Sequence, residues 1–306
     1  MTRNGKLTEI ESNIYYLDSR KLSSFGVSGV YFVVGEGITL IETGTTLNAR
    51  HILESTRKLG FDDKDIRNAI VTHIHLDHAG ATGWLVRRLP HLKVYVHKRG
   101  LEHLRDPSKL IESAKTVYRN IETITAMHGE ILPVPAGNLV GVTDTEIDAG
   151  NGVHLQIFDA PGHAYHHLCI YEPETGALFS GEALGHYEPE TDTISTAVAP
   201  PAFDYEAALK TIDRIEALSP GMICFSQFGQ HSDPKFVMDT FRRQLTYYYE
   251  LILKCIEKGL NTAEIIEDIW HLSLKESRGG QAVTRDMLAS VVRSYQIYFS
   301  RMGKLK

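Results

Sequence analysis

Residues Thr72-His73-Ile74-His75-Leu76-Asp77-His78-Ala79-Gly80 place three imidazoles and one carboxylate within six positions, directly after the apolar run Ala69-Ile70-Val71. An apolar run that ends in so many polar donors reads as a buried strand opening into a turn. If the chain leaves the strand at Thr72, His73 and His75 point the same way, because side chains two apart in extended chain share a face. Asp77 and His78 then fall on the turn or on the first residues of a helix and aim at a second, nearby point. Neutral imidazole is the commonest biological metal ligand, and a carboxylate adds the charge a dication needs on leaving water. A lone histidine here would read as packing; four donors at this spacing read as a metal site.

Such a site needs donors from elsewhere, and two later segments offer them. Ala160-Pro161-Gly162-His163-Ala164-Tyr165-His166-His167 follows the strand-like Val153-His154-Leu155-Gln156-Ile157-Phe158, and Pro161-Gly162 makes a tight turn that presents His163 at the strand end. Ala177-Leu178-Phe179-Ser180-Gly181-Glu182 is an apolar run ending in glycine and a carboxylate. A glutamate after a strand is ordinarily just solvated, but at the end of a buried strand it is equally a candidate ligand.

With these segments in place the chain resembles the metallo-beta-lactamase superfamily, over about residues 12 to 235. The His-x-His-x-Asp-His signature at 73 to 78 carries the resemblance. Thr39-Leu40-Ile41-Glu42-Thr43-Gly44 resembles the early strand and turn that ordinarily ends in Asp-x-Gly, Pro161-Gly162-His163 the third-histidine loop, and Ser180-Gly181-Glu182 the position of the bridging aspartate. The resemblance implies that His73, His75 and His163 hold a first metal, Asp77 and His78 a second, and that Glu182 bridges them. It implies an α/β fold, an αββα sandwich of two mixed β-sheets flanked by helices. Residues 1–235 would form the metal-binding domain, and 236–306 a C-terminal helical extension that caps the cleft or forms an oligomer surface.

The departures weigh as much as the matches. Glu42 and Glu182 stand where the family has Asp, each reaching one methylene further, which bears on the metal spacing or on the groups supporting the ligands. After the strand-like Met222-Ile223-Cys224-Phe225-Ser226 comes Gln227-Phe228-Gly229-Gln230-His231, so Gln227 occupies the place of the last family histidine. A neutral amide is a weaker ligand than imidazole, and the second metal position is expected to be weakly held. His231 is a substitute only if its loop folds back; otherwise it is a solvent-exposed loop histidine. His166 and His167 follow the ligand loop, and His167 could equally support the site, face substrate or be structural. His186 and Tyr187 are either a pocket wall or an ordinary loop. No glycine-rich phosphate loop is present. Cys169, Cys224 and Cys255 are too widely separated for a zinc ribbon and read as buried thiols.

Chemistry follows from such a site. A bound cation lowers the pKa of water from about 16 toward about 7 and polarises a carbonyl or phosphoryl oxygen, so no activated serine or cysteine is needed. Asp77 is the candidate catalytic residue, orienting the hydroxide and relaying a proton.

Composition sets the limits. The 306 residues, 42% hydrophobic and 23% charged, suffice for one large core plus an extension. A formal charge of -6 without a run of basic residues argues against a nucleic-acid surface. No apolar stretch is long enough to span a membrane, and three cysteines indicate no disulfide framework, so a soluble, cytoplasmic protein is expected. Periodicity predicts strands at 13–17, 30–34 and 93–97, helices at 49–59, 83–88 and 205–218, and a long helix around Pro107 to Met127. Beyond Pro234 the pattern is helical. Val237, Phe241, Leu245, Tyr248, Ile252 and Cys255 share one face, Asn261 caps a helix with Glu264 three on, and Leu288, Val291, Tyr295 and Tyr298 form a stripe after a turn at Gly279-Gly280. These stripes read as core packing.

The leading expectation is a metal-dependent hydrolase of a small ester, thioester or lactone, similar to the glyoxalase II-like branch. It would carry one or two zinc ions, or iron or manganese, and act on a small molecule, and the C-terminal helices offer a surface for self-association. One alternative is a single-iron oxidoreductase of the same fold, similar to persulfide dioxygenases. Another is a catalytically weak sensor or interaction protein, with Gln227 as a sign of ligand loss.

Overall fold

A computed structural model of the chain describes residues 7–18, 29–118, 120–227, 229–276 and 284–305, so the turn at Gly279-Gly280 lies outside the described residues. The chain divides into two compact units. The first takes the described residues of Met1–Asp159, His166–Gly181 and Pro220–Ser232, the second those of Ala160–Tyr165, Glu182–Ser219 and Asp233–Lys306.

In the first unit, a seven-stranded sheet runs in chain order through β1 (Leu7–Glu11), β2 (Ile14–Leu17), β3 (Val30–Val34), β4 (Ile38–Ile41), β5 (Ile66–Ile70), β6 (Lys93–His97) and β7 (Leu139–Val142). β1 to β4 pair antiparallel and β4 to β7 parallel. Parallel neighbours need crossovers, and helices supply them. α1 (Ala49–Lys58) precedes β5, while α2 (Leu76–Ala79) and α3 (Thr82–Arg88) precede β6. α4 (Leu101–Arg105), α5 (Ser108–Tyr118) and α6 (Ile121–His128) precede β7. The long helix expected around 107 to 127 is thus two helices. Asn120 is extended (φ -151, ψ 170) and its side chain accepts from Thr123 N at 2.8 Å, starting a new helix where periodicity alone ran on.

The second sheet contains β8 (Thr145–Gly150), β9 (Val153–Asp159), β10 (Leu168–Glu172) and β11 (Ala177–Gly181). β12 (His186–Glu188) and β13 (Thr193–Ser195) form a separate hairpin in the second unit. β14 (Met222–Phe225) and β15 (Gly229–His231) complete the sheet, in the order β15-β14-β11-β10-β9-β8, with only β11 and β14 parallel.

Alternation along the strands decides what lies between the layers. Tyr31 and Val33 of β3, with Ile41 and Ile70, pack against Leu155, Ile157, Ile170 and Phe179 of the second sheet. Val30 and Phe32, with Leu40 and Ala69, face the opposite way, onto Ile52, Leu53, Leu85 and Val86 of the crossover helices. The two sheets are therefore the inner layers of a sandwich. The Tyr31 hydroxyl lies 2.6 Å from Phe225 O and 2.9 Å from Gly229 O, which ties β3 to both flanks of the loop carrying Gln227.

The second unit contains the hairpin, α7 (Tyr205–Leu218), α8 (Pro234–Glu257), α9 (Thr262–Glu276) and α10 (Arg285–Arg301). The expected stripes form its core except at Tyr248, which is half-buried: Val237, Phe241, Leu245, Ile252 and Cys255 of α8 are buried, as are Leu288, Val291, Tyr295 and Tyr298 of α10. Asn261 Oδ1 accepts from Ala263 N and Glu264 N while Glu264 accepts from Asn261 N, the expected cap. The three cysteines are buried and none is in a disulfide.

Candidate metal centre

The site begins where β5 ends. His75 keeps extended backbone (φ -60, ψ 151) and then starts the single turn of α2, which carries Asp77 and His78. His73 and His75 do turn toward the same place: His73 Nε2 lies 2.9 Å from His75 Nδ1, with ring centroids 4.4 Å apart. His78 packs on His73 with centroids 4.1 Å apart.

Glu42 organises these rings from beneath. It has a left-handed φ of 69 and no solvent exposure. Its carboxylate accepts from Thr72 N at 3.2 Å, from the Thr72 hydroxyl, from His78 Nδ1 at 3.0 Å and from Ser226 Oγ at 2.7 Å. A carboxylate can only accept, so the order of hydrogen bonds assigns the tautomers. Thr72 gives its one hydrogen to Glu42 and therefore accepts at 3.0 Å from His73 Nδ1, which leaves His73 Nε2 with its lone pair. His78 likewise donates through Nδ1, and its Nε2 lies 3.1 Å from Asp77 Oδ2, where a cation or a proton would sit between them. Both rings present the nitrogen a cation would take.

Gln227 sits beside this cluster and donates from Nε2 to Asp77 Oδ2 at 3.4 Å. His167 stacks on His73 at 5.0 Å between centroids and His166 at 6.4 Å. Gly181 permits that stack: its φ is 56, and a Cβ there would fall 2.5 Å from His167 Nε2 and 2.8 Å from Thr72 Oγ1. His231 is a half-buried residue of strand β15, opposite Ile223, and not part of a loop.

The second unit carries the other two candidates. His163 Nδ1 donates to Ala197 O at 2.8 Å, and His163 Nε2 is 2.9 Å from Glu182 Oε2; His186 Nε2 donates to Glu182 Oε1 at 2.7 Å. Burial pushes the Glu182 carboxyl up, but the two imidazoles outweigh it and hold the group well below the usual carboxylate range. The His163 loop is pinned to α7 through Asp204 N to Gly162 O (2.8 Å) and Thr211 Oγ1 to Pro161 O (2.6 Å). Gly162 is required, since its φ is 142 and a Cβ would lie 2.6 Å from Ala208 Cα.

The donor set suits a divalent cation. Glu42, His73 and His78 offer ligand atoms within 4.8 Å of one another, in a buried setting of imidazole and carboxylate. Sequence reasoning missed one neighbour. His128, the last residue of α6, is 3% exposed, and burial pushes its basicity down while the charges of Asp77 and His78 act on it in opposite senses. A histidine before a glycine at a helix end reads as an ordinary C-terminus, so no signal marked it.

The family model described as the metallo-beta-lactamase superfamily matches residues 24–227, and the chain belongs to that superfamily. An atrochrysone carboxyl ACP thioesterase of Pseudocercospora fijiensis is 26% identical over 170 residues, 55% of this chain and 41% of that protein. A hydroxyacylglutathione hydrolase of Legionella pneumophila is 27% identical over 119 residues, 39% of this chain and 34% of that protein. The chain thus spans less than half the length of these relatives. A metallo-beta-lactamase family protein of Thermus thermophilus superposes with a TM-score of 0.68 at 19% identity, over 96% of this chain and 95% of the other, which establishes the shared fold. The α/β sandwich expected from sequence is that fold.

Proposed function

We propose that the chain is a metal-dependent hydrolase of small acyl substrates, with thioesters ahead of esters and lactones. The observation that carries this is the Glu42-centred network, which holds the rings of His73 and His78 through their Nδ1 atoms beside Asp77 and turns each Nε2 outward from Glu42. The similarity to an ACP thioesterase and to a hydroxyacylglutathione hydrolase supports the choice of an acyl bond.

In this reading His73, His75 and His163 would hold a first cation and Asp77 and His78 a second, with Glu182 as a further carboxylate ligand and Gln227 at the last position; His231, held in β15 opposite Ile223, drops out. Zinc is the first candidate, with iron or manganese as alternatives. When bound, the cation supplies hydroxide at neutral pH and an electrophile for the acyl carbonyl. Asp77 orients the attacking water and carries its proton toward the leaving group. Glu42, through Thr72 and directly, keeps His73 and His78 in their ligating tautomers. Residues 236–306 act as a helical extension that shapes the substrate pocket or a self-association surface. Among the described residues no helix is long and apolar enough to cross a membrane.

The test is metal analysis joined to a hydrolysis panel of thioesters, esters, lactones, phosphodiesters and β-lactams. His75→Ala and Asp77→Ala are expected to lose at least about a hundredfold in turnover while circular dichroism is unchanged. Full activity in either variant would reject the assignment. A single-iron oxidoreductase is the second reading, favoured by the Gln227 amide standing at Asp77. Tightly bound iron with oxygen uptake on a persulfide, and no acyl cleavage, would establish it instead.

A further inference from the structure

Gly29, directly before β3, and Tyr31 within it are two positions apart and reach the same neighbour, the loop that joins β14 to β15. Gly29 N donates to Ser226 O at 2.6 Å. A Cβ at Gly29 would lie 2.0 Å from Tyr16 Cε2, so glycine alone leaves room for the Tyr16 ring. The Tyr31 hydroxyl has one hydrogen and two carbonyl oxygens around it, Phe225 O at 2.6 Å and Gly229 O at 2.9 Å. Phe225 and Gly229 are the last facing pair of β14 and β15, so the hydroxyl bridges the neck of the 226–228 loop. Burial pushes the pKa of this hydroxyl well above its ordinary value, so it stays protonated and donates. The Tyr31 ring is 1% exposed and packs on Tyr16 and Phe179, with centroids 4.9 and 5.0 Å away.

The side chains of the loop point the other way, into the metal centre. Ser226 Oγ donates to Glu42 Oε1 at 2.7 Å, and Gln227 Nε2 to Asp77 Oδ2 at 3.4 Å. Glu42 supports His73 through Thr72 and His78 directly, while Asp77 is itself a candidate ligand. One hydroxyl therefore stands behind both acids. At 3.4 Å the Gln227 contact is close to the limit of a hydrogen bond, so a small shift of the neck breaks it. Without the hydroxyl, the two buried carbonyls lose the donor they share, and the neck is no longer drawn together from β3.

We propose that Tyr31 is a positioning residue of the metal centre: through the neck of the loop it sets Ser226 against Glu42 and Gln227 against Asp77, and thereby sets the strength and geometry of metal binding. The proposal rests on the metal-centre reading for what is bound, and on the hydrogen bonds alone for how Tyr31 acts. The probe is cobalt(II), whose visible absorption reports ligand geometry, titrated into the metal-free full chain with a competing chelator for affinity. Tyr31→Phe keeps the ring and removes the hydroxyl. It is expected to bind cobalt about tenfold more weakly and with a shifted visible band, the effect of losing a group that supports a ligand. In a Ser226→Ala/Gln227→Ala background the same substitution should change affinity by less than about twofold, because the loop has no side chains left to position. Equal losses in both backgrounds mean that Tyr31 does not act through the loop and overturn the proposal, as does wild-type affinity in Tyr31→Phe.

Should Tyr31→Phe fail to fold, Gly229→Ala disturbs the same neck. Its φ is 103 and a Cβ there would meet nothing within 4 Å, so backbone strain is the one effect of the substitution. Weaker cobalt binding that disappears in the Ser226→Ala/Gln227→Ala background upholds the proposal, and binding as in wild type overturns it. If wild type takes up no cobalt, the metal-centre reading fails and NMR of the metal-free protein decides. Side-chain amide signals of Gln227 that move in Tyr31→Phe, or in Gly229→Ala in its place, uphold the positioning role, and unmoved signals end it.

Discussion

His78 donates from Nδ1 to the Glu42 carboxylate at 3.0 Å, with both side chains removed from solvent. The same carboxylate reaches His73 through the Thr72 hydroxyl, so one acid sets the proton positions of two rings that both follow the end of β5. The extra methylene of glutamate, compared with the family's aspartate, is taken up by a left-handed backbone at Glu42 and by four donors around its oxygens.

Glu42→Gln tests that arrangement. An amide puts donors where the carboxylate accepted, which leaves His78 or Ser226 unmatched in a buried place. Zinc affinity is expected to fall by about 10- to 100-fold, and the metal-free protein to lose about 1 to 3 kcal/mol. Chelator competition and urea unfolding measure the two; zinc affinity equal to wild type would remove Glu42 from its supporting role.

Gly181→Ala tests the packing of the histidine stack. The new methyl group would stand 2.5 Å from His167 Nε2 and 2.8 Å from Thr72 Oγ1, on a backbone with φ 56. Overpacking and a left-handed alanine together should cost about 2 to 4 kcal/mol in urea unfolding and weaken metal binding. A variant as stable as wild type would mean that His167 moves aside freely.

Gln227→His restores the imidazole that the family pattern expects. Wild type should retain fewer than two tightly bound ions per chain after dialysis, and the variant should approach two, as read by elemental analysis. Two ions held by wild type under those conditions would refute the prediction.

Acidification should weaken the metal-free protein. Burial lowers the basicity of His97 despite its 3.1 Å contact with Asp159, and burial lowers that of His128. The unfolded chain binds protons on these rings near its ordinary value, about 6.5, before the folded chain does. Stability is therefore highest above that pH and declines as pH falls from about 6.5 through the lower folded values. Urea titrations at several pH values check the sign, and His128→Phe should show a shallower decline; stability that is flat or rises on acidification would contradict it.

The segment from His73 to His78 was readable because it is local. Alternation places His73 and His75 on one side of an extended chain, and a turn must follow, so six consecutive residues fix most of their own geometry. The strand at 93–97, the helix at 205–218 and the stripes of α8 and α10 were legible for the same reason. The break at Asn120 was not, since the apolar period continues through it and only the capping bond to Thr123 shows the restart. Gln227 could be named from sequence as the residue in the histidine position, but its contact with Asp77 depends on Tyr31 anchoring the flanking carbonyls from another sheet.

By itself, then, the sequence determined which donors the protein has, their order, and which stretches alternate as strands or helices, because these follow from periods of two and 3.6 along one chain, while the sandwich came from the family resemblance that the donors carry. Only the tertiary structure decided which nitrogen each ring presents and why Glu42 holds two of them. Those outcomes arise from hydrogen bonds between residues 30 or more positions apart, such as Glu42 with His78 and with Ser226, and no local spacing encodes them.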